Sequence, residues 1–343
     1  MDKILITGGN GFIATNFITL MLKSGYNVVS IDNLTLSTYL NFKHSTIDSK
    51  NFKFIKFDII DNKIGDLIRE YKFDYVINFA AESHVDKSIR SSNMFVDTNI
   101  RGTNNLISNC MNLLEEGVLP ESFRFIQIST DEVYGSLKNN EPSFSELTNL
   151  NPTNPYSASK ASADLMCLSY FKTHNFPVLI TRCSNNYGPY QYPEKLIPLT
   201  INQLIAHKKV PVYGNGKQIR DWIFVEDHCN GIKKVLEHGC VGEIYNFGGN
   251  SELSNLDVIG TICQLINPGE NLSAHIEHIQ DRPGHDTRYS IDSSKSINEL
   301  EWKPTHNFES AIKDTVSWYV ANKKWSSRII KSDHYTQWME NHY

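Results

Sequence analysis

Apolar residues cluster in short β-branched or aromatic runs through the first half of the chain: Ile4–Thr7, Val28–Ile31, Phe52–Phe57, Tyr75–Phe79, Phe125–Ile128 and Val178–Thr181. Stretches of helical spacing separate them. This alternation predicts an α/β fold, a doubly wound parallel sheet covered by helices on both faces. A later run, Glu243–Phe247, follows a helical stretch at Val225–His238 and is expected to return to the same sheet. Segments punctuated by Pro and Gly at Tyr187–Pro198, Val210–Gly216 and Asp281–His285 read as ligand-bearing loops, which on such scaffolds gather at the carboxyl ends of the strands. The chain therefore divides into a sheet lobe, 1–186 with 219–249, and a smaller discontinuous α/β lobe, 187–218 with 250–343. The tail from Trp325 to Tyr343 is aromatic and charged without a clear period.

Composition narrows the class. With 343 residues, 40% hydrophobic and 21% charged, the chain can bury a large core, which excludes disordered and collagenous classes. A formal net charge of −5 gives no reason to expect nucleic acid or an anionic membrane as partner. Any phosphate must be held by a local site. The cysteines Cys110, Cys167, Cys183, Cys229, Cys240 and Cys263 form no CxxC pair, which argues against a disulfide framework and a zinc cage, and fits a reducing cytoplasm. No basic leader precedes Ile4-Leu5-Ile6, and no apolar stretch approaches the ~20 residues of a membrane span, so neither a targeting signal nor a bilayer segment is expected. His44, His174, His207 and His306 lack ligand spacing, and no metal is expected.

The first strand runs into Gly8-Gly9-Asn10-Gly11-Phe12-Ile13-Ala14 and then into a helical segment. Gly8 permits a tight turn, and Gly11 lets backbone approach a pyrophosphate over the helix N-terminus. Ala14 stands where a third small residue is needed for packing of helix on strand. Asp32 ends the second strand about 20 residues on, where a carboxylate accepts hydrogen bonds from a ribose diol and repels a 2′-phosphate. Together these predict a Rossmann-type domain that binds NAD rather than NADP.

Tyr156 and Lys160 are spaced to share one helix face. A phenol beside an ammonium has its phenolate favoured, and can take a proton from a sugar hydroxyl while a nicotinamide is reduced. Ser129-Thr130-Asp131-Glu132-Val133-Tyr134-Gly135 closes the fifth strand. Asp131 and Glu132 are more acid–base groups than a dehydrogenase or epimerase requires. They suit an elimination, one carboxyl removing a proton from carbon and the other protonating a departing hydroxyl; the plain alternative is a helix N-cap and solvated turn.

The series TGGNGFIA, FAAESHVDKSI, STDEVYG, YSASKA, RCSNNYGPYQYPEKLIP, VYGNGKQIRDWIFVEDH and DRPGHDTRY, in order from Met1 to about Lys323, resembles the nucleotide-sugar branch of the extended short-chain dehydrogenase/reductases. Within that branch it is similar to the dTDP-glucose 4,6-dehydratases. The resemblance implies a hydro-lyase that converts dTDP-glucose, or UDP-glucose, to the 4-keto-6-deoxy sugar by transient oxidation at C4, elimination across C5–C6 and hydride return to C6. It implies that Tyr156, helped by Lys160, deprotonates O4, that Glu132 removes the C5 proton, that Asp131 protonates the 6-hydroxyl, and that Thr130 hydrogen-bonds near O4. A 4-epimerase is the alternative activity.

The same resemblance implies an NAD site made by Phe12, Ile13, Asp32, Asn33, Leu34, Thr35, Asp58 and Ile59, together with Ala80, Ala81, Ser83, Thr98, Tyr156, Lys160 and Asn186. It implies a sugar-nucleotide site made by Ser83, Thr130, Asn185, Lys195, Leu196, Pro211, Val212 and Tyr213, with Arg220, Asn255, Arg282 and His285. Arg220 and Arg282 are chemically apt for the diphosphate, because guanidinium matches phosphate oxygens bidentately, ion pairs with Asp221 or Asp281 being the alternative. The helical stretches Asn93–Leu114 and Ser157–Lys172 carry more apolar positions than a one-sided surface helix needs. In the family the corresponding helices form a four-helix bundle across a two-fold axis, which implies a homodimer.

Overall fold

The computed structural model describes residues 2–34, 41 and 50–342. Seven strands form one wholly parallel sheet, β1 (Lys3–Thr7), β2 (Asn27–Asp32), β3 (Phe52–Lys56), β4 (Tyr75–Asn78), β5 (Arg124–Thr130), β6 (Val178–Cys183) and β10 (Ile244–Phe247). Their spatial order is β3-β2-β1-β4-β5-β6-β10, so the chain winds outward from β1 in one direction and then, from β4, in the other. The crevice between these two directions opens at the carboxyl ends of β1 and β4, the place where such sheets bind ligands.

The sheet is buried on both faces. Ile4 and Ile6 of β1 point into a core shared with helices α1 (Phe12–Lys23) and α7 (Val225–His238). Leu5 points the other way, into a core shared with α2 (Ile64–Tyr71), α4 (Thr103–Glu115) and α5 (Pro155–His174). A short turn at Asn93–Phe95 and a π-helical stretch at Val96–Gly102 lead into α4, and the intervening helix α3 (Val85–Arg90) follows β4. The late run returns to the sheet as expected, Ile244–Phe247 pairing in parallel with Ile180–Cys183.

A third core lies outside the sheet, between α6 (Leu196–Ile205), α8 (Asn255–Ile266) and the helix Phe308–Ala321. Strand β9 (Ile219–Phe224) pairs with β7 (Asn185–Tyr187) and antiparallel with β11 (Glu252–Ser254), not with the seven-stranded sheet. Its side chains divide between the cores, Ile223 packing with the sheet and Trp222 and Phe224 with the third core. Two of the segments expected as loops contain regular structure. Val210–Tyr213 is a strand, β8, paired in parallel with β12 (Ile276–Ile279), and α6 begins inside Tyr187–Pro198. The aperiodic tail folds as two helices, Lys323–Ile330 and Asp333–His342. Among the described residues no helix is long and apolar enough to cross a membrane.

Candidate active site

At the end of β1 the chain turns through Gly8 with φ of +59°, and a Cβ there would stand 2.6 Å from Ala80 Cα. Only glycine fits. Among the described residues no side chain caps α1, so its first amides remain for a ligand at the cleft. Of the expected cofactor residues, Gly8, Gly11, Asp32, Asn33, Asp58, Ile59, Ala80, Ala81 and Thr98 line this cleft, joined by Ile31, Phe57, Phe79 and Glu82, which the sequence reading did not single out. Asp32 is buried and accepts the backbone N–H of Asn10 at 3.1 Å and of Leu34 at 2.8 Å. Asp58 accepts from Asn33 Nδ2 at 3.1 Å and from the Ile60 amide at 3.1 Å, and so builds the turn after β3. Phe12 and Ile13 open α1. Thr35 lies outside the described residues. The glycine cradle, the open helix end and the acidic strand end fit a dinucleotide.

Helix α5 places the Tyr-Lys pair. Asn154 caps it, accepting the Ser157 amide at 2.9 Å in a capping box with Pro155 at the first helical position, which sets Tyr156 in the first turn. Among the described residues Lys160 makes no hydrogen bond to the Tyr156 phenol. Lys160 Nζ donates to the Ile128 carbonyl at 2.7 Å, and burial lowers its pKa, against the charge of Asp164. Burial, with the negative charge of Glu132 behind it, holds the Tyr156 phenol well above its usual value, and the Thr130 hydroxyl opposes this.

Strand β5 delivers the two carboxyls. Thr130 at its end accepts the Glu132 amide at 3.3 Å and starts the 3₁₀ turn Asp131–Tyr134. That turn is not solvated: Asp131 is 1% exposed, with Oδ1 accepting from Thr130 Oγ1 at 3.4 Å and Oδ2 buried without a partner among the described residues. Burial, then the charge of Glu132, raises the Asp131 carboxyl well above the usual range. Glu132 is also raised by burial, but Arg282, Arg220 and Lys195 pull against the shift. Environment thus separates the two, Asp131 favouring the acid form and Glu132 facing three cations.

Glu132 opens into a second cleft lined by Asn185, Lys195, Leu196, Pro211, Val212, Tyr213, Arg220, Asn255, Arg282 and His285. His84, Asp86, Glu194 and Trp222, with the apolar Val85, Leu199 and Ile259, complete it and were missed. His84 and Asp86 belong to FAAESHVDKSI, directly after β4, so position at a strand's carboxyl end was the signal available for them. Arg220 does not pair with Asp221; it is buried over the Tyr289 ring, 4.2 Å from its centroid, and donates to the Asp286 carbonyl at 3.0 Å. Arg282 pairs not with Asp281 but with Asp86, at 3.0 Å. His285 lies 2.6 Å from Asp281, and burial together with Arg282 pulls its pKa down to about 4, so its ring is neutral near pH 7. Ser83 borders this cleft through its carbonyl, which accepts from Lys195 Nζ at 3.1 Å. Asn186 is buried in β7, its Oδ1 2.9 Å from His228 Nδ1. No group of three or more potential metal ligands occurs among the described residues.

A family model described as GDP-mannose 4,6 dehydratase matches residues 5–315. The dTDP-glucose 4,6-dehydratase of Xanthomonas campestris pv. campestris (strain B100) is 45% identical over 341 residues, 96% of each chain. The chain belongs to the dTDP-glucose 4,6-dehydratase family. Solved structures of the family agree in fold. The Bacillus anthracis dTDP-glucose 4,6-dehydratase in complex with NAD superposes with a TM-score of 0.86 at 43% identity, covering 96% of this chain and 100% of that one. The NAD-bound Streptomyces venezuelae member superposes with a TM-score of 0.88 at 38% identity, covering 95% and 99%.

Proposed function

We propose that this chain is an NAD-dependent nucleotide-sugar 4,6-dehydratase, a hydro-lyase that converts dTDP-glucose, with UDP-glucose as the other donor to test, to the nucleotide-linked 4-keto-6-deoxyglucose and water. The observation that carries the reading is the Asp131-Glu132 pair, with Asp131 buried and Glu132 opening into a cleft bearing two arginines. Bound NAD supplies the oxidant for C4 and, later in the same turnover, the reductant for C6. Tyr156 accepts the proton of the 4-hydroxyl, with Lys160 and Thr130 beside it. The resulting ketone acidifies C5–H, Glu132 takes that proton, Asp131, held as the acid, protonates the departing 6-hydroxyl, and a proton returns to C5 when C6 is reduced. Arg220 and Arg282 hold the diphosphate, with Lys195, Asn185 and Asn255 around the nucleotide sugar.

The Gly8–Gly11 turn holds the pyrophosphate of NAD and Asp32 its ribose diol, with the remaining expected cofactor residues around them. The proposed division, 1–186 with 219–249 for cofactor and 187–218 with 250–343 for sugar nucleotide, is supported by the separate third core, with β9 shared between both. Six unpaired thiols, five of them buried, support a reducing cytoplasm as the site of action.

Incubation with dTDP-glucose and with UDP-glucose tests the activity: the product is expected to have lost one water and to carry a C4 ketone. An unchanged mass with inverted C4 would instead identify a 4-epimerase. The same assay ranks the two bases, whose difference of one methyl is worth only ~1–3 kcal/mol in an apolar pocket.

We further propose a homodimer through a four-helix bundle. The 93–115 stretch and α5 lie side by side, Asn99 Nδ2 donating to Ser159 Oγ at 2.8 Å. They leave Met94, Val96 and Leu165 exposed by 53%, 43% and 57%, a degree that a partner helix pair relieves. Leu165→Glu is expected to convert a dimer mass in light scattering to a monomer mass at micromolar concentration. A monomer in the unsubstituted protein refutes the bundle.

A further inference from the structure

The C-terminal helices converge on one loop. Residues 188–195 connect β7 to α6 without regular structure, and their carbonyls are taken up in turn by side chains from distant elements. Asn16 Nδ2 donates to Pro189 O at 3.0 Å, Asn41 Nδ2 to Tyr190 O at 3.2 Å, Tyr319 Oη to Gln191 O at 2.5 Å and Tyr335 Oη to Pro193 O at 3.3 Å. Tyr319 and Tyr335 are both buried, and both lie beyond residue 315, where the family match ends. The rings reinforce the hold. Tyr190 has φ of +70°, a costly conformation for a bulky residue, and its ring is wedged against Trp318 at 4.8 Å and Trp325 at 6.2 Å. Tyr192 meets the edge of Tyr335 at 6.4 Å.

The far end of the loop enters the sugar-nucleotide cleft. Lys195 Nζ reaches the Ser83 carbonyl at 3.1 Å, while Glu194 stands 3.4 Å from Lys87 Nζ and 3.6 Å from His84 Nε2. A loop without a hydrogen-bonded ladder of its own takes its position from the groups that satisfy its backbone. We propose that Tyr319 and Tyr335 are positioning residues for the substrate site, holding the loop by its carbonyls so that Lys195 is presented across the cleft to the sheet lobe. The inference rests on the reading of Lys195 as a contact of the sugar nucleotide.

Tyr335→Phe tests it, because the ring and its packing remain while the donor to Pro193 is lost. The KM for dTDP-glucose is expected to rise by about three- to tenfold, the loss of one hydrogen bond, with kcat and the affinity for NAD unchanged. Tyr319→Phe is expected to show the same split. A double-substitution cycle with Lys195→Ala identifies the route: Tyr335→Phe should add little to the KM of the Lys195→Ala chain, because both act through one side chain. A full multiplicative rise in that background overturns the proposal while leaving the reading of Lys195 intact. Lys195→Ala with unchanged KM overturns that reading and the proposal with it, and a Tyr335→Phe chain that loses kcat or NAD at constant KM overturns the proposal alone.

Discussion

A Glu132→Gln chain is expected to oxidise its sugar nucleotide and then stop, so that reduced nicotinamide builds up on the protein and release of dehydrated sugar falls by about 10²–10⁴-fold. The amide preserves shape and one acceptor but cannot take the C5 proton. Under the proposed roles oxidation at C4 needs neither member of the acidic pair and should be spared. Asp131→Asn is expected to stall after oxidation as well, yet to keep exchanging the C5 proton with deuterated solvent, because Glu132 remains and the ketone acidifies that carbon. The sign of the pH dependence follows from burial. Asp131 is raised because its charged form is desolvated and faces Glu132, so the acid persists to higher pH and elimination declines as pH climbs through that raised value. Single-turnover absorbance at the reduced-nicotinamide band, with deuterium counting at C5, checks all of this. Dehydration by Glu132→Gln at the unsubstituted rate would reduce the pair to a structural turn and bring the epimerase reading forward.

Tyr156→Phe is expected to fail one step earlier, with no reduced nicotinamide at any time after mixing and a loss of about 10²–10⁴-fold in the oxidation step. The substitution keeps the ring packed between Phe95 and Val85 and removes only the hydroxyl. Because burial and Glu132 hold the phenol high, the oxidation step of the unsubstituted chain should accelerate as pH rises toward that value. Lys160→Met should slow the same step, and also free the Ile128 carbonyl that Lys160 now caps. Stopped-flow absorbance separates this phenotype from that of Glu132→Gln, and reduction at the normal rate in Tyr156→Phe would move the base role to another group.

Legibility in the sequence followed burial. Six of the seven parallel strands were visible because they are covered on both faces and so read as compact apolar runs, while the edge strand β3 showed through Phe52, Phe54 and Ile55 between exposed lysines; Val225–His238 was bounded to the residue. The small strands were not. Val210–Tyr213 carries a proline and is held by one partner, Ile276–Ile279, far along the chain, so neither periodicity nor turn residues betray it. The tail helices were opaque for a related reason: the aromatics of 318–335 face one loop and each other, not a single helical stripe.

At the site, residue type and spacing alone determined which chemistry was available: a glycine turn with an acid after the second strand, a Tyr and Lys four apart, and two adjacent carboxyls closing the fifth strand. Those features are local, and local geometry follows from short-range sterics and hydrogen bonding. The electrostatic contrast between the two carboxyls was supplied only by the tertiary structure, because it depends on charges brought from 220, 282 and 195 to Glu132 and on the deeper burial of Asp131, which Arg220 also reaches. The partners of the arginines were decided in the same way, Arg282 crossing to Asp86 and Arg220 to Tyr289 and not to the acids beside them in sequence. Electrostatic environment is a sum over neighbours in space, and a linear sequence does not contain that sum until the chain has folded.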